Sequence, residues 1–330
     1  MVKRYGIGAA GIEESTDEGA QLVLFVAPEE GERAALRDQL GLAEYDLAST
    51  LDPDEAPRAE AIGQGALLIW RVPESARIEA TVEFGVRSLG LVLAGDRLAF
   101  VLDKPRVTFK EREYRGARDA RDVLLGFLLH GIRHYVGHLR VIKQLGMELE
   151  RKITVSNENR HLLQMFALSE SLVYYLDAIE GNGAMLQRLR TLAAAMKWEP
   201  RQLDMLDDVI LENGQAARQA NIYSTILSGL MDARGTIVNN NMSVLLKNLT
   251  MINIIFLPLN LIASIGGMSE WTMMTQGLDW RLSYAAFLVG MVLFGWLTLT
   301  VVKKLIDRRA APVRRRARRR AAAGRAPSPH

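Results

Sequence analysis

The sequence contains no cysteine. That absence excludes disulfides, thiolate metal sites and a cysteine nucleophile, and it fits a reducing compartment. Two enzymatic signatures are missing as well. There is no Gly-Lys-Ser/Thr phosphate loop and no His-Glu-x-x-His pair, so nothing points to ATP-driven transport, to hydrolysis or to an enzyme. Gly6-Ile7-Gly8-Ala9-Ala10-Gly11 spells a dinucleotide fingerprint. That motif follows a strand, and too little chain precedes Gly6 to form one. The stretch reads as a flexible terminus. Met1-Val2-Lys3-Arg4-Tyr5 has no apolar core, so no signal peptide is expected.

Charge is missing from two long stretches. Asn248–Ser269 is 22 residues without a charged side chain, and Leu282–Val302 is 21 more. About 20 apolar residues span a bilayer core. The alternative, a pair of buried core helices, is disfavoured because such helices are interrupted by charges well before that length. Acids are scarce at the C-terminal end: residues 303–330 hold 11 Lys and Arg and one acid, Asp307. The chain totals +3, so this tail carries +10 and the preceding 302 residues carry −7. Positive charge beside a membrane helix faces the cytoplasm. Two crossings then put both termini there, in a multi-pass protein of the cell (inner) membrane. The tail has no aromatic residue for stacking on bases. It therefore reads as a lipid-facing segment for anionic headgroups rather than a nucleic-acid site.

What is present upstream divides in two. Residues 20–115 read as mixed α/β, within a domain over 1–118. Buried strands are expected at Leu22–Val26 and Ala66–Val72, and a half-buried strand at Arg77–Val86. A hairpin is expected at Leu89–Leu93 and Arg97–Leu102, around Ala94-Gly95-Asp96. Pro28–Leu40 and Asp54–Ile62 read as helices or loops. From Asp119 the chain is Leu/Ala/Glu/Arg-rich and helical in period, over 119–154, 156–197 and 200–265. Pro200 suits a first helical position. An unbroken helix from there to Ile265 is roughly 100 Å long, with Gly214, Gly229 and Gly235 as possible bends. The expected organisation is an α/β domain at 1–118, a helical region at 119–199 and a stalk helix at 200–247. Spans follow at 248–268 and 282–302, joined by an external loop at 269–281, and a basic tail at 303–330.

Two polar constellations stand out. His130, His134 and His138 recur at i, i+4, i+8. Adjacent pairs can share a metal ion, but a third ligand must come from elsewhere; a polar stripe on a helix is the simpler reading. In the first span, Thr250, Asn253, Asn260 and Ser264, with Leu257, fall within roughly an 80° arc. Asn facing lipid lacks hydrogen-bond partners, so this face meets another helix or water. Water implies a pore, and two spans enclose one only as a symmetric ring.

Ile255-Phe256-Leu257-Pro258-Leu259-Asn260-Leu261-Ile262-Ala263-Ser264-Ile265-Gly266-Gly267-Met268-Ser269 resembles the pore helix of CorA-type divalent-cation transporters. The layout of a large N-terminal domain and two C-terminal spans resembles them too. The family signature is Gly-Met-Asn, or Gly-x-Asn in its zinc-transporting branch. Gly267 and Met268 match it; Ser269 stands where the Asn falls, and Gly266 where a Tyr often does. The resemblance implies an α+β cytoplasmic domain, a stalk helix and two transmembrane helices in a funnel-shaped homopentamer. It implies passage of Mg2+ or Zn2+, with Co2+ and Ni2+ as companions, and no cofactor beyond divalent ions as substrate and regulator. Leu249, Thr250, Asn253, Leu257, Asn260 and Ser264 would line the pore. Gly267, Met268, Ser269 and Glu270 would form its outer mouth. Asp208 and Asp232 would be regulatory metal ligands, with His130, His134 and His138 as a further option. The altered signature also motivates a second reading, a membrane-anchored scaffold or regulator that has lost transport.

Overall fold

The computed structural model describes the chain except residues 9–10, 18, 64, 75–76, 79–81, 105–106, 156–158, 268–272, 274–276, 278 and 324–330. Its strands are β1 (Val2–Gly8), β2 (Gly11–Glu14), β3 (Leu22–Val26), β4 (Arg58–Ile62), β5 (Gly65–Pro73), β6 (Arg77–Ile78), β7 (Val82–Glu83), β8 (Val86–Ala94) and β9 (Arg97–Leu102). Its α-helices are α1 (Glu30–Leu40), α2 (Glu44–Leu51), α3 (Ala120–Val155), α4 (Asn159–Ala195), α5 (Pro200–Gly266) and α6 (Trp280–Ala323). The chain divides into two compact units, Met1–Ala233 and Arg234–His330.

In the first unit seven strands form one sheet in the order β2-β1-β3-β9-β8-β5-β4. Only β3 and β9 pair in parallel; every other pairing in the sheet is antiparallel. The central strands are apolar on both faces, as a sheet covered on both sides requires. Leu22, Leu24, Trp70, Leu91 and Phe100 pack toward α3 and α4, while Phe25, Leu67, Val92 and Val101 pack with Leu36 and Leu47 of α1 and α2. Two glycines permit the close approaches. A Cβ on Gly90 would lie 2.4 Å from Thr50 Cβ of α2, and one on Gly131 of α3 would lie 2.9 Å from Trp70 Nε1. The helices are pinned by polar contacts. Asn182 on α4, fully buried, accepts from the Arg71 backbone N–H at 3.0 Å and donates to the Arg71 carbonyl at 2.8 Å. Asp122, 3% exposed, accepts from Arg201 Nη2 through both oxygens at 2.7 Å, tying the start of α5 to the start of α3.

The structure departs from the sequence reading in three places. The N-terminus is a β-hairpin, β1 with β2, and β1 also pairs with β3. Glycine at position 11 accommodates a φ of +129°. Gly6 and Gly8 lie within β1 rather than in a loop. Residues Arg77–Val86 are not one strand: β6 and β7 form a separate two-stranded hairpin, and Val86 opens β8. Within 54–62 the ordered element is the strand β4, which pairs with β5.

Candidate functional site

Neither uncharged segment is a core helix. The apolar windows within Pro200–Ile265 and Trp280–Val302 are long enough to cross a bilayer, and no part of either is buried. In the second unit, Thr250, Asn253, Leu257, Asn260 and Ser264 of α5 are all exposed. The half-covered residues of the same stretch are Met251, Ile255, Pro258, Leu259 and Ile262. At about 100° per residue these lie on the opposite side of the helix. Among the half-covered residues of α6, Ser283, Phe287, Met291, Gly295, Thr298 and Val302 recur at steps of three and four, with Leu299 and Thr300 half-covered beside them. A Cβ on Gly295 would lie 3.4 Å from Leu259 Cδ1, so the two helices meet on that side. The polar stripe therefore does not serve as glue between the chain's own two spans. Thr250 Oγ1 donates to the Leu246 carbonyl at 2.8 Å; the hydroxyl proton is spent locally and the oxygen is left as an acceptor. Gly267 ends the helix, its N–H directed to the carbonyls of Ala263 and Ser264 at 3.1 and 3.2 Å. Met268, Ser269 and Glu270 lie outside the described residues.

The stripe belongs to a longer row that the sequence reading missed. Stepping back from Thr250 by alternating fours and threes gives Leu246, Ser243, Asn239 and Thr236 in the second unit. The same steps give Asp232, Gly229, Thr225, Ile222, Arg218, Gln215, Leu211 and Asp208 in the first. Every one of these residues is exposed. In the first unit the buried face of α5 repeats the same steps through Leu206, Val209, Asn213, Ala216, Ala220 and Leu227. The signal was present in the sequence as a seven-residue period. It is hidden at 100° per residue, because a period of 3.5 drifts off a straight helix. The row is mostly polar, with large apolar side chains at Leu211, Ile222, Leu246 and Leu257, each more than half exposed. Asp208 and Asp232 both fall on it; Leu249 lies just beside it. Asp208's neighbour Asp207 is engaged elsewhere, accepting from Arg190 Nε and Nη2 at 2.8 and 3.1 Å.

The three histidines stack along α3 without converging on a point. His134 and His138 meet edge-to-face at 4.4 Å between centroids, and His130 is 6.3 Å from His134. Tyr175 of α4 shares a 2.6 Å hydrogen bond with His138 Nδ1. Burial, then the neighbouring His134, pushes the His138 pKa down to about 4. Burial, then His130, lowers that of His134 as well. His130 and Arg133 both approach Glu113. Among the described residues no three His, Asp or Glu side chains gather as a metal-holding group. The basic segment is a continuation of α6, which runs helical to Ala323.

A sheet-and-helix N-terminal domain followed by two exposed apolar helices, one of them carrying an exposed polar row, defines a two-span membrane protein. The sequence profile described as CorA-like Mg2+ transporter protein matches residues 18–304, and the chain belongs to that family. Among curated proteins it is 24% identical over 258 residues to the cobalt/magnesium transport protein CorA of Methanocaldococcus jannaschii, covering 73% of this chain and 77% of that one. Among solved structures it resembles the complete CorA magnesium transporter from M. jannaschii, with a TM-score of 0.70 at 20% identity over 91% of this chain and 96% of that one. Full-length CmaX gives 0.69 at 14% identity over the same shares. The ZntB cytoplasmic domain from Vibrio parahaemolyticus gives 0.54 at 12%, covering 72% of this chain and 98% of that one.

Proposed function

We propose that the chain assembles as a homopentamer with the exposed row of α5 turned to a common axis, and that divalent cations pass along it. The observation that carries this is the row itself. It is exposed throughout a single chain, polar within the apolar stretch long enough to cross a bilayer, and in that stretch opposite the face that meets α6. A polar face in hydrocarbon needs partners, and a ring supplies water and four further copies. The family and the cobalt/magnesium relative support the divalent class of substrate.

Mg2+ gives up its water reluctantly. Neutral amide and hydroxyl oxygens of Asn253, Asn260, Thr250 and Ser264 therefore contact its hydration shell rather than the bare ion. Leu257, 72% exposed, supplies an apolar girdle that closes the path when the helices approach; Leu249 beside the row adds to it. Gly267, Met268, Ser269 and Glu270 form the outer mouth, where the carboxylate gathers cations. Asp208 and Asp232 on the same row hold regulatory divalent ions, and the His130, His134 and His138 row is a secondary candidate. Both termini are cytoplasmic, and the basic end of α6 meets anionic headgroups.

The test is dye-reported uptake of Mg2+, Zn2+, Co2+ and Ni2+ into liposomes holding the purified chain, beside bis-maleimide cross-linking of single cysteines placed at 250 and 257. Uptake together with cross-linked ladders up to five is the expected result. Ladders without uptake of any ion would favour the scaffold that has lost transport, a reading motivated by Ser269 at the signature position.

A further inference from the structure

Three positions on the exposed row of α5 are charged, and they do not share one sign: Asp208 and Asp232 flank Arg218. Arg218 and Asp232 are two seven-residue periods apart and occupy the same step of the pattern. An arrangement that turns Asp232 to the axis therefore turns Arg218 there too. Arg218 is exposed, and its Nη1 lies back over Gly214, 3.8 Å from where a Cβ would stand. The positions three and four residues away on the helix are Gly214, Gln215, Asn221 and Ile222, so no acid is in reach on its own helix. Asp208 is about 15 Å away along the helix and Asp232 about 21 Å, both beyond the screening length of about 8 Å at physiological salt. Neither acid neutralises it.

Five guanidinium groups at one level of a cation path repel one another and the passing ion. Guanidinium pairs best with oxyanions, whose two oxygens match its planar fork. We propose that Arg218 forms an oxyanion-binding ring on the path, so that a small divalent oxyanion of the sulfate or phosphate class lowers the barrier to cations. This rests on the pentameric conduction proposed above. The ring makes conduction respond to the anions of the cytoplasm as well as to the cation gradient. It also gives a role to the one basic side chain on the row.

The probe is sulfate, which carries the phosphate geometry without precipitating the metal. Mg2+ uptake into liposomes holding the full chain is compared in chloride and in sulfate at matched ionic strength, for wild type, Arg218→Gln and Arg218→Lys. Wild type is expected to speed up several-fold in sulfate. Arg218→Gln is expected to run fast in chloride already and to ignore sulfate, and Arg218→Lys to fall between them. Equal rates for wild type and Arg218→Gln, with neither responding to sulfate, would overturn the proposal while leaving conduction intact. Placement is tested separately, since the chain has no cysteine of its own. Arg218→Cys should form bis-maleimide ladders as Thr250→Cys does. Ladders from Thr250→Cys alone remove Arg218 from the axis; ladders from neither overturn the pentameric arrangement and the ring together.

Discussion

Asn182 shows how one side chain can hold an element in place. Its amide, on a fully buried side chain, exchanges two hydrogen bonds with the backbone N–H and carbonyl of Arg71 near the end of β5. Asn182→Ala leaves that N–H and carbonyl unpaired, at a cost of about 2–4 kcal/mol. Chemical denaturation of the full chain in detergent should show it, with Asn182→Asp, which keeps the acceptor, in between. His138 makes a pH-dependent contribution of definite sign. Folded, it titrates near 4; unfolded, near its ordinary 6.5. Above that range both states are neutral there. As pH falls through the window, the unfolded chain takes up a proton that the folded chain refuses, so stability falls. A thermal midpoint lower by a few degrees at about pH 5 than at about pH 7.5 is expected. His138→Gln should recover part of that loss, and an unchanged slope in the variant would assign the effect elsewhere. Selectivity belongs to this scale as well. In the proposed pentamer, five serine hydroxyls at position 269 would reach less far and be held less firmly than five asparagine amides. Ser269→Asn should shift uptake toward Mg2+ over Zn2+, Co2+ and Ni2+; the same ion ranking in both would move the filter down to Asn260.

At the scale of elements, the proposed path lies along α5. Asn253→Leu and Asn260→Leu should lower Mg2+ uptake at least tenfold while cross-linking at position 257 persists. Loss of the ladders instead would mean that the amides join subunits and do not contact ions. The strands at 22–26, 66–72, 89–93 and 97–102 and the three long helices were legible because their apolar patterns are dictated by burial on one or two faces. The strand at 58–62 was not, since Arg-Ala-Glu-Ala-Ile is rich in helix formers and only its pairing with β5 makes it extended. The N-terminal hairpin was read as loose because glycines at 6, 8 and 11 weaken any local signal; its order comes from β3, far along the chain. Of the candidate site, the polar stripe was visible as an arc. Its extension through Arg218 to Asp208 needed the exposure pattern, because the seven-residue repeat is written in the buried face of Leu206, Val209, Ala216, Ala220 and Leu227, while the row itself mixes Gly, Thr, Leu and Asp with no common hydropathy.

For the whole molecule, the distribution of charge sets the topology prediction. Eleven basic residues follow the second span, while Glu270, Asp279 and Arg281 are the charges between the spans. Reporter fusions after residue 330 and near residue 275 should report opposite sides of the membrane, with the C-terminal one cytoplasmic. The same side for both would contradict two crossings. Nanodiscs holding the full chain should associate with phosphatidylserine vesicles more than with phosphatidylcholine vesicles in a salt-dependent way, and removing the residues after 309 should shrink that difference.

The seven-residue step of α5 also fixes a handedness. An α-helix turns once in about 3.6 residues, so a row repeating every 3.5 slips by roughly 20° in each period. Within the second unit, from Thr236 to Ser264, there are 28 residues, four periods, and the slip accumulates to roughly 80°. Straight rods could keep only part of such a row on the axis. For Thr236 and Ser264 both to face the axis of the proposed pentamer, its five helices would have to wind about one another like the strands of a left-handed rope. Unwinding that rope would swing Asn260 and Ser264 away from the axis and bring the side of Ile255 and Leu259 toward it, exchanging a wet lining for a dry one.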